Sequence, residues 1–300
     1  MYMPIAKLIH NPKAGDKDHS KETLIALIEN EGFECDYASF KEDGWEHIAP
    51  GTDLLVIVGG DGTVRRVAKT LIYDNLPCPY LVGLLPLGTA NNIAKTLGIH
   101  GEMADIVRCW HDEQTKTFDI AILNDLPKKN FFMEGLGYGI FPQLMEEMKK
   151  VDKKQLDTPE KEIKKALEVL RDIVKTYKAT HCSITVDGAT HEGDFILAEV
   201  MNIRSIGPNL ILSPDADPAD GYFEVALLPA DERLPFMDYL KKLIDNPGRP
   251  PYSYKSFKGK NIKINWEGTL LHADDELIQL NRHTELNIKI QPSALKFLVP

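Results

Sequence analysis

The chain has 300 residues, of which 43% are hydrophobic and 27% are charged, a balance typical of a folded protein with two domains or one large domain. Its 35 basic and 45 acidic residues give a formal net charge of −10, which argues against nucleic-acid binding, because that binding depends on neutralising phosphates. No apolar run approaches the roughly 18 residues that would cross a membrane, and the N-terminus lacks the pattern of a secretory signal, so we expect a cytoplasmic protein.

Strands and helices alternate over the first 120 residues. Apolar runs predict strands over 5–9, 33–40, 53–58 and 80–85. Helical spacing of apolar residues predicts helices over 20–31 and 63–73, and a third helix that ends at Leu97. We therefore expect residues 1–120 to form a doubly wound α/β domain with a parallel sheet.

The pattern changes beyond about residue 118, where strands follow strands. Apolar runs punctuated by Asp-Gly and Glu-Gly turns predict strands over 118–122, 130–133, 183–186, 193–202, 222–228, 261–266 and 285–290. One long helix is predicted over 160–177, with Thr158 at its N-cap and Pro159 at its first position. We expect a β-rich antiparallel sandwich or barrel over 121–290, with 291–300 returning to the first domain.

The four cysteines are far apart in the sequence and form no C-x-x-C pair. Cys35, Cys78, Cys109 and Cys182 are therefore expected to be buried free thiols rather than disulfide partners or zinc ligands.

A glycine loop, Gly59–Thr63, joins the predicted strand 53–58 to the following helix. Glycines let the backbone approach a ligand, and a helix N-terminus attracts anions, so we expect the loop to bind phosphate. It matches neither the G-x-G-x-x-G pattern nor the Walker loop. Asp61 would repel phosphate unless a metal or an acceptor hydroxyl lay between them, which favours phosphoryl transfer or a Mg²⁺-bound nucleotide. A tight Asp-Gly turn without a ligand is the alternative.

A second loop follows the predicted strand 80–85. Its residues Gly88, Thr89 and Asn91 can present N–H, hydroxyl and amide donors, and a helix follows. Turns at the carboxyl ends of parallel strands share one edge of an open sheet, so we expect both loops to face one crevice. A weaker turn over 11–15 would line the same edge.

Together these motifs resemble the diacylglycerol kinase catalytic-domain family, which includes bacterial lipid kinases and sphingosine kinases, with NAD kinases more distantly related. The resemblance rests on Asn11-Pro12 after the first strand and on the two glycine loops. Two later segments are similar to acidic turns of the family: 213–222, and 272–276 where the family has Asp-Gly-Glu. The resemblance extends over most of the chain.

The resemblance implies an ATP-dependent kinase that phosphorylates a lipid hydroxyl, with the nucleotide in the first domain and the lipid in the second. Loop residues would bind the nucleotide: Asn11, Ser39, Gly59, Gly60, Asp61, Gly62, Thr63, Gly88, Thr89 and Asn91. Such transfer needs positioning, charge neutralisation and a carboxylate near the acceptor hydroxyl.

The same resemblance assigns catalysis to acidic residues of both halves: Asp61, Asp274 and Glu276. Glu276, with Asp274, would form the region that takes the acceptor's proton. Mg²⁺ would be held by Asp217, Asp220 and the carbonyl of Tyr222, since such oxygen ligands suit that ion.

Each late acidic residue also has a plain structural interpretation. Asp217 and Asp220 would suit a surface turn, and 274–276 would suit a hairpin turn. We expect His272 to be packed or exposed rather than catalytic. Asn202 would either line the cleft or be a buried amide bonded to the backbone.

Three positions depart from the usual pattern of the family. Arg66 and Asn92 stand where the family usually has acids, and Asp275 stands where it has glycine. Two lost acids and one gained cation change the charge near the nucleotide loops by three units. Two unit charges about 5 Å apart interact by roughly 3 kcal/mol at an effective dielectric near 20, enough to alter acceptor preference or metal binding. Arg66 could instead reach a phosphate.

Three functions remain as hypotheses. The first is a lipid kinase acting on a diacylglycerol- or sphingoid-like alcohol, with transient contact to a membrane surface. The second is an NAD-kinase-like enzyme with a soluble acceptor. The third is a nucleotide- or lipid-binding protein whose altered acids abolished transfer. An exposed edge strand in the second half would permit pairing across a homodimer.

Overall fold

The computed structural model describes residues 3–14, 19–73, 80–126, 130–152, 156–253 and 255–300. The chain divides into two compact units, the first comprising Met1–Phe118 with Ser293–Pro300 and the second comprising Asp119–Pro292. Cys35, Cys109 and Cys182 are free thiols, whereas Cys78 and Gly15 lie outside the described residues.

The first unit alternates strands and helices. In chain order they are β1 (Ile5–His10), α1 (Lys21–Asn30), β2 (Glu34–Ser39), β3 (Thr52–Gly59), α2 (Asp61–Tyr73), β4 (Leu81–Pro86), α3 (Asn92–Thr96), α4 (Met103–Cys109) and the start of β5 (Thr115–Leu123). The strands β2, β1, β3 and β4 pair in parallel in that order, and Lys296 and Phe297 at the end of the chain add a further parallel pairing to β4. The predicted parallel α/β domain is confirmed.

Local sequence explains the ends of these elements. Ser20 caps α1 through its hydroxyl, which accepts the N–H of Thr23. Residues 54–59 of β3 are buried, as expected of a central parallel strand. Helix α2 begins at Asp61, two residues earlier than predicted, so Asp61 and Gly62 belong to its first turn.

The second unit is dominated by antiparallel strands. Its elements are β6 (Asn130–Phe132), β7 (Gly135–Gly139), α5 (Ile140–Met148), α6 (Pro159–Thr176), β8 (Thr180–Val186), β9 (Ala189–Met201), β10 (Ser205–Ile206), β11 (Leu210–Ile211), β12 (Phe223–Pro229), α7 (Arg233–Asp245), β13 (Lys255–Gly259), β14 (Asn261–Trp266), β15 (Leu270–Ala273), β16 (Glu276–Gln279) and the start of β17 (Leu286–Leu298). Hydrogen bonds order them β16-β15-β7-β9-β8-β14-β17, with β12 also pairing β9 and carrying β13. The predicted β-rich second domain is confirmed.

Both faces of its central strands are buried. Val225 and Leu227 of β12 point into a core built by the strands, whereas Ala226 and Leu228 belong to a second core formed with α5, α6 and α7. Such double burial explains why these strands are continuously apolar in sequence.

The sequence predicts only one helix in this half, and the structure has three of eight or more residues among its described parts. Thr158 and Pro159 begin α6 as predicted, since the Thr158 hydroxyl accepts the N–H of Lys161. Helices α5 and α7 each carry a proline, Pro142 and Pro235, in their first turn. Proline is tolerated there because those N–H groups have no partner within the helix. Of the helices that are described, none combines the length and the apolar character that crossing a membrane requires.

Candidate active site

The two glycine loops of the first unit touch each other. Gly59 of β3 is paired with Pro86 of β4, which brings the following loops side by side. A Cβ on Gly60 would lie 2.7 Å from Cα of Gly88, closer than real Cβ contacts. Only glycine at both positions allows this approach, which exposes a surface of backbone.

Asp61 ties the two loops together. Its Oδ2 accepts the N–H of Asn92 at 3.0 Å, and its Oδ1 accepts the N–H of Ile93 at 2.9 Å. These are the first two N–H groups of α3, which have no partner within that helix. Burial raises the pKa of Asp61 although these two donors and the charge of Lys95 oppose the effect. The carboxylate is therefore a structural clamp as well as a charge in the loop.

The second loop is closed by Asn91, which has a left-handed backbone with φ of 51°. Its Oδ1 accepts the N–H of Gly88 at 2.8 Å, and its Nδ2 donates to the carbonyl of Gly88 at 2.7 Å. Thr89 is partly exposed beside it. The Asn91 side chain thus shapes the loop and has its amide engaged there.

The first loop of the chain joins the same group. Asn11 donates from Nδ2 to the hydroxyl of Thr63 at 2.9 Å. Gly62 is exposed in the first turn of α2, while Ser39 is buried at the end of β2 and accepts the N–H of Lys41. The structure therefore places most of the predicted nucleotide-binding residues along one edge of the parallel sheet.

Arg66 does not pair with an acid in the described contacts. Its guanidinium lies 5.0 Å from the ring centroid of Phe40 and 5.9 Å from that of Trp45. These distances are within the range of cation–π attraction. Two aromatic rings thus contact this exposed arginine of α2.

In the second unit, the acidic turn 274–276 is a two-residue hairpin between β15 and β16, since Ala273 pairs with Glu276. The Asp274 carboxylate is buried and accepts the N–H groups of Met133, Glu134 and Gly135. Asp274 also has the left-handed conformation of the turn, with φ of 53°, and Asp275 does not. The aspartate in place of the family's glycine therefore needs no strained backbone.

Glu276 is an exposed acid of this turn. Its Oε2 accepts a hydrogen bond from Nδ2 of buried Asn130 at 3.3 Å. The Asp274 carboxylate is engaged by three backbone amides, whereas Asp275 and Glu276 are both exposed. The arrangement can present a carboxylate to an acceptor hydroxyl.

The three residues predicted to hold Mg²⁺ lie in one loop before β12. The Oδ1 atoms of Asp217 and Asp220 accept the N–H groups of Ala219 and Tyr222, respectively. The Oδ2 of Asp220 pairs with the ammonium of Lys258 at 2.7 Å, and that ammonium lies 3.7 Å from Glu224. The hydrogen bond with Asp220 raises the pKa of Lys258.

As they are arranged, these carboxylates do not fit a resident divalent cation. The ammonium of Lys258 already occupies the side of the Asp220 carboxylate that would bind the cation. Among the described residues, no group of three or more His, Cys, Asp or Glu side chains is arranged to hold a metal ion. Asp119 clamps the same loop, since its Oδ2 accepts the N–H of Gly221 at 2.9 Å. The predicted metal site stays a prediction without a ligand set to support it.

Asn202 is a buried amide bonded to the backbone, the second of its two interpretations. It donates to the carbonyls of Asp119 and Met133, both at 2.8 Å. Sequence reasoning missed the partner of His272, which is Glu199 at 2.5 Å. The signal was available, because Glu199 is the one acid in the apolar run 195–201.

Comparisons with known proteins agree with these features. Residues 6–123 match the family model described as "Diacylglycerol kinase catalytic domain", and residues 148–299 match the one described as "YegS C-terminal NAD kinase beta sandwich-like domain". The two matches together span most of the chain.

Individual relatives are similar along almost their whole length. The chain is 26% identical over 284 residues to a "Putative lipid kinase" of Staphylococcus epidermidis, covering 93% of this chain and 86% of that protein. It is 26% identical over 282 residues to a protein of the same description from Staphylococcus aureus, covering 93% and 87%. A crystal structure of "a putative diacylglycerol kinase" from Bacillus anthracis matches with a TM-score of 0.75 at 23% identity, covering 100% of this chain and 99% of the other. This last likeness shows the fold.

Proposed function

Because the chain belongs to the diacylglycerol kinase catalytic-domain family, we propose that it is an ATP-dependent lipid kinase. The reaction transfers the γ-phosphoryl group of ATP to the hydroxyl of a diacylglycerol- or sphingoid-like lipid. The acceptor hydroxyl loses its proton, its oxygen bonds to the γ-phosphorus, and the bond to the β-phosphate oxygen breaks to release ADP. The acceptor class is supported by the names of relatives from two Staphylococcus species.

The observation that carries the proposal is the contact between the two glycine loops at the start of α2. Gly60 and Gly88 leave partly exposed backbone without side chains, and Asp61 binds the start of α3, which follows the second loop. A 13-residue helix begins at this point, and its N-terminus favours bound anions. We assign the triphosphate to this edge of the first unit.

Mg²⁺ enters with the nucleotide, as part of the substrate. It offsets the charge of the phosphates, which lets them lie near a loop that contains an aspartate. In the second unit, Glu276 takes the proton of the acceptor hydroxyl, while Asp274 holds the hairpin that carries it. The lipid is reached by transient contact with a membrane surface from the cytoplasm.

A transfer assay tests the proposal. Labelled ATP is offered with a panel of diacylglycerol and sphingoid alcohols in detergent micelles, together with soluble acceptors that include a dinucleotide. We expect label in a lipid product, and a loss on the order of 10²- to 10⁴-fold in Glu276→Gln, the usual range for a removed general base. Glu285→Gln, at an exposed glutamate of the same unit, is the matched control.

Two other results would favour the remaining hypotheses. Transfer only to the dinucleotide would favour the soluble-acceptor kinase, to which the description of the second matched domain points. Tight nucleotide binding without transfer to any acceptor would favour the binding protein. Either result contradicts a lipid kinase.

A further inference from the structure

A buried acid–histidine pair lies behind the acidic hairpin of the second unit. His272 of β15 and Glu199 of β9 are 1% and 0% exposed, and Nε2 of His272 is 2.5 Å from Oε1 of Glu199. The two strands are not neighbours, because β7 lies between them. The pair therefore crosses one whole strand.

The strand register explains how this crossing is possible. His272 and Glu199 are both paired with the same residue of β7, Gly137. A Cβ on Gly137 would overlap with the carboxylate of Glu199. Three positions on three strands are thus matched to one another: an acid, a histidine and, between them, the residue without a side chain.

The other ring nitrogen of His272 connects the pair to the hairpin. Its Nδ1 is 3.0 Å from the carbonyl oxygen of Asp274. A carbonyl oxygen only accepts, so Nδ1 must be the protonated nitrogen and donates to it. The remaining nitrogen, Nε2, then shares a proton with Glu199. Desolvation lowers the pKa of His272, but the Glu199 carboxylate and the Asp274 carbonyl outweigh it and raise that pKa.

The pair is a poor way to stabilise a core. Burial raises the pKa of Glu199, and its Oε2 has no hydrogen-bond partner among the described residues. Apolar residues of similar size often replace a buried ion pair without loss of stability. What they would not replace is the N–H that His272 donates to Asp274.

That N–H completes the fixation of Asp274. The carboxylate of Asp274 is held by the amides of 133–135, and its own N–H donates to the carbonyl of Gly135 at 2.9 Å. Its carbonyl is held by His272. Two residues later the chain reaches Glu276, an exposed acid at the position where the family's Asp-Gly-Glu turn has its glutamate.

We propose that Glu199 and His272 are positioning residues that fix the acidic hairpin through the Asp274 carbonyl. They keep Glu276 oriented to take the proton of the acceptor hydroxyl. His272 holds the Asp274 carbonyl, and Glu199 sets the orientation and tautomer of the imidazole. The role of the hairpin in proton transfer rests on the proposed function, whereas its fixation does not.

Two substitutions of His272 separate its two contacts. Counted in bonds from Cβ, the amide nitrogen of glutamine stands in for Nε2, and that of asparagine stands in for Nδ1. His272→Gln therefore keeps a donor for Glu199 and loses the one for Asp274. His272→Asn does the reverse, and it is combined with Glu199→Met so that no buried carboxylate is left unpaired. His181→Gln is the control, because His181 forms an exposed pair with Glu192 at 3.1 Å.

The readouts are amide hydrogen exchange at residues 275 and 276 and steady-state kinetics of phosphoryl transfer. For His272→Gln we expect folded protein, faster exchange at both amides, and kcat reduced on the order of 10- to 100-fold, as small misplacements of a reacting group cause. KM for ATP should stay within about twofold, since the lost contact is made in the second unit. The His272→Asn, Glu199→Met double variant should recover slow exchange and most of kcat.

The proposal is overturned if His272→Gln keeps wild-type exchange at 275 and 276, or if exchange becomes faster at both amides while kcat keeps its wild-type value. It is also overturned if the double variant exchanges as fast as His272→Gln. If the wild type transfers no phosphoryl group, the proposed function fails, but the exchange data still decide whether His272 fixes the hairpin.

Discussion

Gly60 and Gly88 come from loops after neighbouring parallel strands, and they meet backbone to backbone. A Cβ on Gly88 would lie 2.7 Å from Oδ1 of Asn91 and would overlap with Cα of Gly60. Neither glycine therefore places a side chain between the N-terminus of α2 and the turn that Asn91 closes. A phosphate bound there would meet backbone rather than side chains.

Gly60→Ala tests whether this contact matters for binding. The added methyl group must push the loops apart, which should lower the free energy of unfolding by about 1–3 kcal/mol, as overpacking does. The affinity for ATP, measured by calorimetry, should fall with it. In Gly248→Ala the nearest atom to the new Cβ would be 3.8 Å away, so we expect a change within about 0.5 kcal/mol and unaltered ATP affinity. Wild-type affinity in Gly60→Ala would show that the contact is irrelevant to nucleotide.

Asp61→Asn tests the clamp between the loops. The carboxylate accepts two N–H groups with two oxygens, and an amide has only one oxygen. One buried N–H then faces an NH₂ group, so we expect a loss of about 1–3 kcal/mol in the free energy of unfolding and reduced phosphoryl transfer. Asp105→Asn, at an exposed position on α4, should leave both unchanged. Equal activity of Asp61→Asn and wild type would contradict a role for the clamp.

The same variant has a pH signature. Burial raises the pKa of Asp61 in the folded protein above its usual 3.8, so the native state binds that proton more tightly than the unfolded state. The contribution of Asp61 to stability must therefore decline as pH rises from 3.8 through the raised value. Urea denaturation across this range should show the stability difference between wild type and Asp61→Asn shrinking as pH rises. If the stability difference between wild type and Asp61→Asn instead grows with pH, the hydrogen bonds from Asn92 and Ile93 affect the pKa of Asp61 more than its burial does.

Lys258 offers a test of the acidic loop before β12. Its ammonium stands between Asp220 and Glu224, so added Mg²⁺ or EDTA should leave the melting temperature of the nucleotide-free wild type unchanged. Lys258→Met removes this cation and leaves the carboxylates to repel one another, so the variant should melt at a lower temperature and recover on addition of Mg²⁺. Lys263→Met, at an exposed position on β14, is the control. If Mg²⁺ instead raises the melting temperature of the wild type, the predicted metal site is supported.

The features that sequence predicted well are local. A buried strand, a glycine loop and a helix follow one another at 53–73, and the same order recurs at 81–96, so neighbouring residues suffice to define the loops. The role of Asp61 was less accessible, because its partners lie 31 and 32 residues away in the chain. From sequence, Asp61 predicts a negative charge in the loop. Its hydrogen bonds to Asn92 and Ile93 could not be predicted.

The second unit shows a sharper limit. The pair of Glu199 and His272 depends on the register of three strands, and a shift of one residue would turn either side chain to the other face. No spacing within the sequence encodes that register. The acid inside the apolar run 195–201 predicts that Glu199 is buried. It does not predict which residue pairs with Glu199.

The most direct measurement is a crystal structure with a non-hydrolysable ATP analogue and Mg²⁺. We predict that the triphosphate lies against the backbone of 60–63 and 88–91, with Asp61 still bonded to Asn92 and Ile93. A nucleotide bound elsewhere, or phosphates kept away from this edge by side chains, would contradict it.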